Sequence, residues 1–136
     1  MTDLSLNIVS IPVTDQSRAL HFYTTTLGFT VLEDSPFERV PGEQARWVRL
    51  APRRGGATIT LVTWFPTMPP GSVKGNVLET EDLDAAMDTL DRRGVSFTHP
   101  VIEAPWARFT SFDDLDGNGW VLQQPSEAAR GPGAGT

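Results

Sequence analysis

The sequence predicts an α+β fold built from two tandem βαβββ modules. Three observations carry this. Two passages run strand, aspartate, helix, glycine: Asp15 to Gly28, and Asp82 to Gly94, about 67 residues further on. Each is preceded by a run of strand character and followed by three more. When Asp15 is laid on Asp82, Ala19 falls on Ala86, Leu20 on Met87 and Tyr23 on Leu90, with the glycines one residue out of step. Repetition of a whole element order marks a duplicated unit.

The elements follow in order. "LNIVSIPV" (Leu6 to Val13) alternates Val9, Ile11 and Val13 onto one face, as a strand does. Asp15 is an N-cap type, and "DQSRALHFYTTTLG" carries Ala19, Leu20, Phe22, Tyr23 and Leu27 at helical spacing before Gly28. "FTVLED", "RWVRLAP" and "ATITLVTW" then read as strands, with a turn at "RRGG" and a Pro- and charge-rich loop at "SPFERVPGEQ". After the breaker "FPTMPPGS" comes a strand over Val73 to Thr80, then the N-cap Asp82 and the helix "DLDAAMDTLDRRG". "VSFTHPV", "ARFTSF" and "WVLQQ" complete the second module. The reading is one domain over 1–125, with module one at 5–65, module two at 72–125 and a disordered tail at 126–136.

Composition narrows the function. The 136 residues are 39% hydrophobic, enough for one core without staples. There is no cysteine, which removes disulfides, thiol nucleophiles and thiolate metal sites; His21 and His99 are the only imidazoles. The net charge of −6 argues against nucleic acid, which is held through lysine and arginine. It tolerates cationic ligands, although surface carboxylates first of all keep a protein soluble. No apolar run reaches membrane-spanning length and no leader precedes the first strand, so no membrane association and a cytoplasmic location are expected.

"DDLDGNGWVLQQ" (Asp113 to Gln124) looks like the start of a calcium loop, with oxygens at Asp114, Asp116 and Asn118. The bidentate glutamate such a loop needs falls on Pro125, and strand-like runs rather than helices flank it. It reads as a strand–turn–strand corner.

"IPVTDQSRALHFYTTTLGF", "LETEDLDAAMDTLDRRGVSF" and "FDDLDGNGWVLQQ" resemble the vicinal oxygen chelate superfamily, the glyoxalase/bleomycin-resistance/dioxygenase group. The resemblance covers residues 5 to 125; one departure is Leu115, where the group usually has proline in the corner. It implies mixed four-stranded sheets curled around a shared cleft, and often a homodimer. It also implies a divalent metal in many members, held by side chains on the first and last strand of each module. Carried onto this chain, those positions are Ile8, Thr60, Gly75 and Val121. None offers a carboxylate or imidazole, and a shift of one residue (Asn7, Ile59 or Leu61, Asn76, Leu122) does no better. No metal and no cofactor are therefore expected; "RRGG" also lacks the lysine and helix of a phosphate loop.

With Ile8 facing the cleft, alternation sends Ser10 and Pro12 the same way, joined by Thr58, Thr60, Val62 and Trp64. From the second module it sends Val73, Val77 and Glu79, with Val121 and Gln123. The candidate ligand-binding residues are Ser10, Thr60, Trp64, Glu79, Trp106 and Gln123. Of the four tryptophans, Trp120 alternates with Leu122 and is read as core, while Trp64 and Trp106, each near a proline, are read as pocket rim. Glu79, if buried, and His99 are the candidate general acid–base groups, and no Ser–His–Asp arrangement is readable. The function expected is metal-independent binding of a small organic ligand, aromatic and compatible with positive charge, for which the resemblance supplies drug-sequestering resistance proteins as precedent. The alternative is a lyase, isomerase or dioxygenase with an atypical site, which requires Glu79, His99 and Gln123 to converge.

Overall fold

The structure is a computed structural model that describes residues 2–127. Most of the expected tail, residues 128–136, lies outside the described residues; Ser126, within them, donates its N–H to the Trp106 carbonyl at 2.9 Å. The chain divides into two compact units at Ser72 and Val73.

The first unit runs β1 (Ile8–Pro12), α1 (Gln16–His21), β2 (Thr30–Val40), β3 (Glu43–Ala51) and β4 (Thr58–Val62). Its sheet has the order β1-β4-β3-β2, with β1 parallel to β4 and the other neighbours antiparallel. A parallel pair needs a crossover between its strands, and the segment from α1 through β3 supplies it. Asp15 caps α1 by accepting from the Arg18 N–H at 3.1 Å. The Gln16 amide donates to the carbonyls of Arg46 (2.7 Å) and Leu61 (2.8 Å), pinning the helix to β3 and β4. On that face Ile11, Val48, Leu50, Ile59 and Leu61 are buried beneath Ala19, Phe22 and the fully enclosed Tyr23.

Two expectations change here. The helix does not continue as α to Gly28: Phe22–Thr26 widens into a π-helical turn, closed by Leu27 N–H on the Phe22 carbonyl (3.2 Å). In this turn the Thr24 hydroxyl donates to the Leu20 carbonyl at 2.8 Å, a local bond that competes with the helical ladder. The second change is larger. "SPFERVPGEQ" is not a loop but the distal part of a long hairpin, β2 and β3, turning at Pro41 and Gly42. Gly42 has φ +84°, where a side chain would be strained. Pro36 is tolerated because β2 is the outer strand, with no second neighbour to miss its N–H. Of the charges that suggested a loop, Arg39 bonds Glu43 across the turn at 2.6 Å; nearer the base of the hairpin Arg46 holds Asp34 through two bonds of 2.8 Å, and Arg49 holds Glu33 at 3.0 Å.

The second unit repeats the plan: β5 (Asn76–Glu79), α2 (Leu83–Arg92), β6 (Ile102–Glu103), β7 (Ala107–Asp113) and β8 (Gly119–Pro125), in the order β5-β8-β7-β6 with β5 parallel to β8. Asp82 accepts from Ala85 N–H at 3.0 Å, and the Gln124 side chain accepts from Leu83 N–H at 2.9 Å. Leu83, Phe112, Trp120 and Leu122 form the core, so Trp120 is core as its alternation predicts.

Two strands are shorter than expected. β5 starts at Asn76 rather than Val73, because Gly75 adopts φ +87° and breaks the extended run; Val73 is therefore not an inward strand residue. "VSFTHPV" makes only one bridge, Phe97 to Phe112, before β6 begins at Ile102. Pro100 lacks an N–H for a ladder, and the His99 carbonyl is taken by the Thr110 hydroxyl at 2.9 Å. No helix among the described residues is long and apolar enough to cross a membrane.

Candidate functional site

The sheet face of the first unit opposite α1 carries a polar row across all four strands. Ser10 pairs in register with Thr60, Thr60 with Arg49, and Arg49 with Glu33. Cross-strand partners share a face, so these four side chains lie side by side. The Ser10 and Thr60 hydroxyls are 3.4 Å apart. Arg49 donates through Nε to the Thr58 hydroxyl (3.0 Å) and through Nη1 to Glu33 Oε1 (3.0 Å). The Thr58 hydroxyl passes its own hydrogen to the Asn7 carbonyl at 2.8 Å. The Arg49 guanidinium first, and then the Trp47 indole N–H, hold the Glu33 carboxyl below its ordinary range.

An aromatic cluster adjoins this row. Trp47, two residues from Arg49 along β3, meets the edge of Phe37 at 6.1 Å between ring centres. Phe37 in turn meets Trp64 at 5.4 Å, and Trp64 lies 6.0 Å from Phe65. These are attractive edge-to-face and tilted arrangements. All three rings of Phe37, Trp47 and Trp64 are half-buried, and Phe65 is exposed. Each therefore keeps part of its surface for another planar group.

The corresponding face of the second unit holds Glu79 and Gln123, in register on β5 and β8 and joined by a Gln123 Nε2 to Glu79 Oε1 bond of 3.3 Å. Glu79 is exposed, so the burial that would favour it as a general base is absent. His99 is committed elsewhere. Its Nδ1 bonds the Pro100 carbonyl at 2.7 Å, and a carbonyl can only accept. In the neutral ring Nε2 is then the acceptor, facing the Ser111 hydroxyl at 3.0 Å. Phe109 stands opposite Gln123 in register and meets the His99 ring at 6.3 Å. Glu79 and Gln123 are thus bonded to each other, while the hydrogen bonds of His99 go to Pro100 and Ser111.

The candidate residues fall in two groups. Ser10, Thr60 and Trp64 belong to the first unit, and Glu79, Trp106 and Gln123 to the second. Thr60 is 1% exposed and lies beneath the surface rather than on it. Trp64 sits two residues beyond the end of β4, held by Phe37. Trp106, 59% exposed, precedes β7 and is the most exposed tryptophan. Sequence reasoning missed Arg49, Glu33, Trp47 and Phe37. The period of two in "RWVRL" does set Trp47 and Arg49 apart from the core residues Val48 and Leu50, and that signal was available. Phe37 was hidden by reading its surroundings as a loop, and the pairing of Glu33 by a register that a bulge between Val31 and Glu33 shifts.

The corner at Asp114 to Asn118 is structural. Asp114 Oδ1 accepts from the N–H groups of Asp116 and Asn118, both at 2.9 Å, and Oδ2 accepts from the Asn118 amide at 2.8 Å. Gly117, at φ +92°, makes the turn. A carboxylate so filled with donors serves a turn, not a cation.

Comparison with known proteins fits this architecture. Residues 5–122 match the Glyoxalase/Bleomycin resistance protein/Dioxygenase superfamily. The chain belongs to that superfamily. Among solved structures it is similar to TnmS3, an antibiotic binding protein from Streptomyces sp. CB03234, at 42% identity and a TM-score of 0.83, over 93% of this chain and 99% of that one. It is also similar to a glyoxalase/bleomycin resistance protein from the same strain, at 42% identity and a TM-score of 0.77, over 88% and 100% of the two chains. The uncharacterized protein YetH of Bacillus subtilis (strain 168) is 31% identical over 122 residues, covering 88% of this chain and 97% of YetH.

The divalent metal that the superfamily implies does not fit the residues present. Ile8 is aliphatic, Gly75 has no side chain and sits outside the strand, and Val121 is aliphatic and opposite Val77. Thr60 is a neutral hydroxyl already bonded to Ser10. Divalent ions take several carboxylates or imidazoles, and no step of chemistry is assigned to a metal here. Among the described residues no group of three or more His, Asp or Glu side chains is placed to hold an ion.

Proposed function

We propose that this protein is a metal-independent member of the superfamily that binds a small, planar organic molecule and holds it without transforming it. The observation that carries this reading is the aromatic cluster of Phe37, Trp47 and Trp64 beside a polar row on one sheet face. Stacking surface with a few placed polar groups is the usual makeup of a small-molecule site. The similarity to TnmS3, an antibiotic binding protein, supports it. The net charge of −6 is compatible with positive charge on the ligand. The same reading carries a homodimer, implied by the superfamily resemblance, and a cytoplasmic location, to which a cysteine-free chain is suited.

The enzymatic alternative has less behind it. It needs Glu79, His99 and Gln123 around one point, whereas both nitrogens of His99 are engaged with Pro100 and Ser111.

Titration of the purified protein with a panel of planar aromatic compounds, followed by tryptophan fluorescence, tests the proposal. Saturable quenching is expected with at least one class of compound, and Trp64→Ala is expected to weaken it about tenfold, equivalent to about 1.4 kcal/mol. A panel that leaves the emission unchanged, or turnover of the bound compound, contradicts it.

A further inference from the structure

Arg49 says which planar molecules this face accepts. A guanidinium has five N–H groups in a fixed plane and no acceptor. Two are engaged, one from Nε to Thr58 and one from Nη1 to Glu33. These two bonds fix the guanidinium plane in place, so its remaining donors on Nη1 and Nη2 are held ready without further loss of side-chain freedom. The Arg49 side chain is 22% exposed, so the group is neither sealed in the core nor free in solvent. Its charge is balanced locally by Glu33, whose carboxylate is further held by Trp47. A fully charged ligand therefore gains little from net charge at this point. A neutral oxygen gains a charge-assisted hydrogen bond.

We infer that the ligand is an oxygenated aromatic: a planar ring system carrying a conjugated carbonyl oxygen on its rim. The ring lies against Phe37, Trp47 and Trp64, and the oxygen accepts from the uncommitted N–H groups of Arg49. This rests on the binding reading above and makes it specific. A hydrocarbon ring, or a cation with no acceptor on its rim, leaves those donors unmet when it displaces water. Both are discriminated against for a stated physical reason.

Three probes of matched size separate the cases: 2-acetylnaphthalene, 2-ethylnaphthalene and N-methylquinolinium. Each is titrated into the full-length protein by fluorescence and calorimetry. The acetyl compound is expected to bind at least tenfold more tightly than either of the others. Arg49→Met, which keeps the aliphatic stem, is expected to abolish that preference while leaving the ethyl compound unaffected. Arg49→Lys, which keeps the charge and removes the planar donors, is expected to lose most of the preference, and it serves as the informative variant if Arg49→Met does not fold. Trp64→Ala weakens the acetyl and ethyl compounds alike. Equal binding of the acetyl and ethyl compounds, tighter binding of quinolinium, or a preference that survives Arg49→Met overturns the assignment of the oxygen to Arg49 and leaves the binding function standing. Failure of all three probes to bind overturns both.

Discussion

Glu33 sits on a strand that is exposed along most of its length, yet its carboxylate is gripped by Arg49 and by the Trp47 indole. Its folded-state proton affinity is therefore below the ordinary carboxylate value of 4.5, and the unfolded chain binds the proton more readily. The contribution of this group to stability is present above that value and is lost as pH falls through the lower, folded-state value. Glu33→Gln removes the contribution, so the wild type should be the more stable protein at neutral pH. Its advantage should shrink as the solution is acidified below about pH 4.5, which urea melts at a series of pH values will show. An advantage that is constant with pH would mean the Arg49 contact does not depend on the carboxylate charge. At this scale the sequence was only partly legible. The parity of Trp47 and Arg49 along β3 could be read, because a strand alternates strictly. Their partners could not, since pairing across a sheet depends on register and a bulge shifts it between Val31 and Glu33.

The elements show why some passages read clearly and others did not. The two helix starts were legible because an N-cap is local chemistry, settled within three residues: Asp15 bonds Arg18 and Asp82 bonds Ala85. Asp15→Ala and Asp82→Ala are each expected to cost about 0.5–2 kcal/mol of stability, measured by chemical denaturation. Replacement by Asn should restore most of it, as Asn also caps. The bases of β2 and β3 were legible as strands, but the distal part of their hairpin was not, for the opposite reason. Proline and a dense set of charges mark a loop in most contexts, and here they belong to an outer strand and its turn, with Arg39 paired to Glu43. The truncation of β5 follows from a single backbone angle at Gly75, which no periodicity reveals. The split of "VSFTHPV" follows from a His–Pro pair whose effect depends on what Ser111 and Thr110 offer from the next strand.

At the scale of the whole chain, the duplication was the strongest signal, and both units carry the same strand order and the same capped helix. Strand periodicity fixes which side chains share a face, so the missing metal donors could be recognised from residue identities alone. The aromatic cluster could not, because Phe37, Trp47 and Trp64 come from three different segments and meet only when the hairpin folds. The central claim is that this member of the superfamily binds its ligand without a metal. Calorimetric titration with a planar aromatic ligand, before and after exhaustive chelation and again after adding back zinc, nickel, manganese or ferrous iron, tests it most directly. The account predicts saturable binding with the same affinity in every case and no metal retained at one equivalent. Loss of binding on chelation and its recovery with one divalent ion would contradict it.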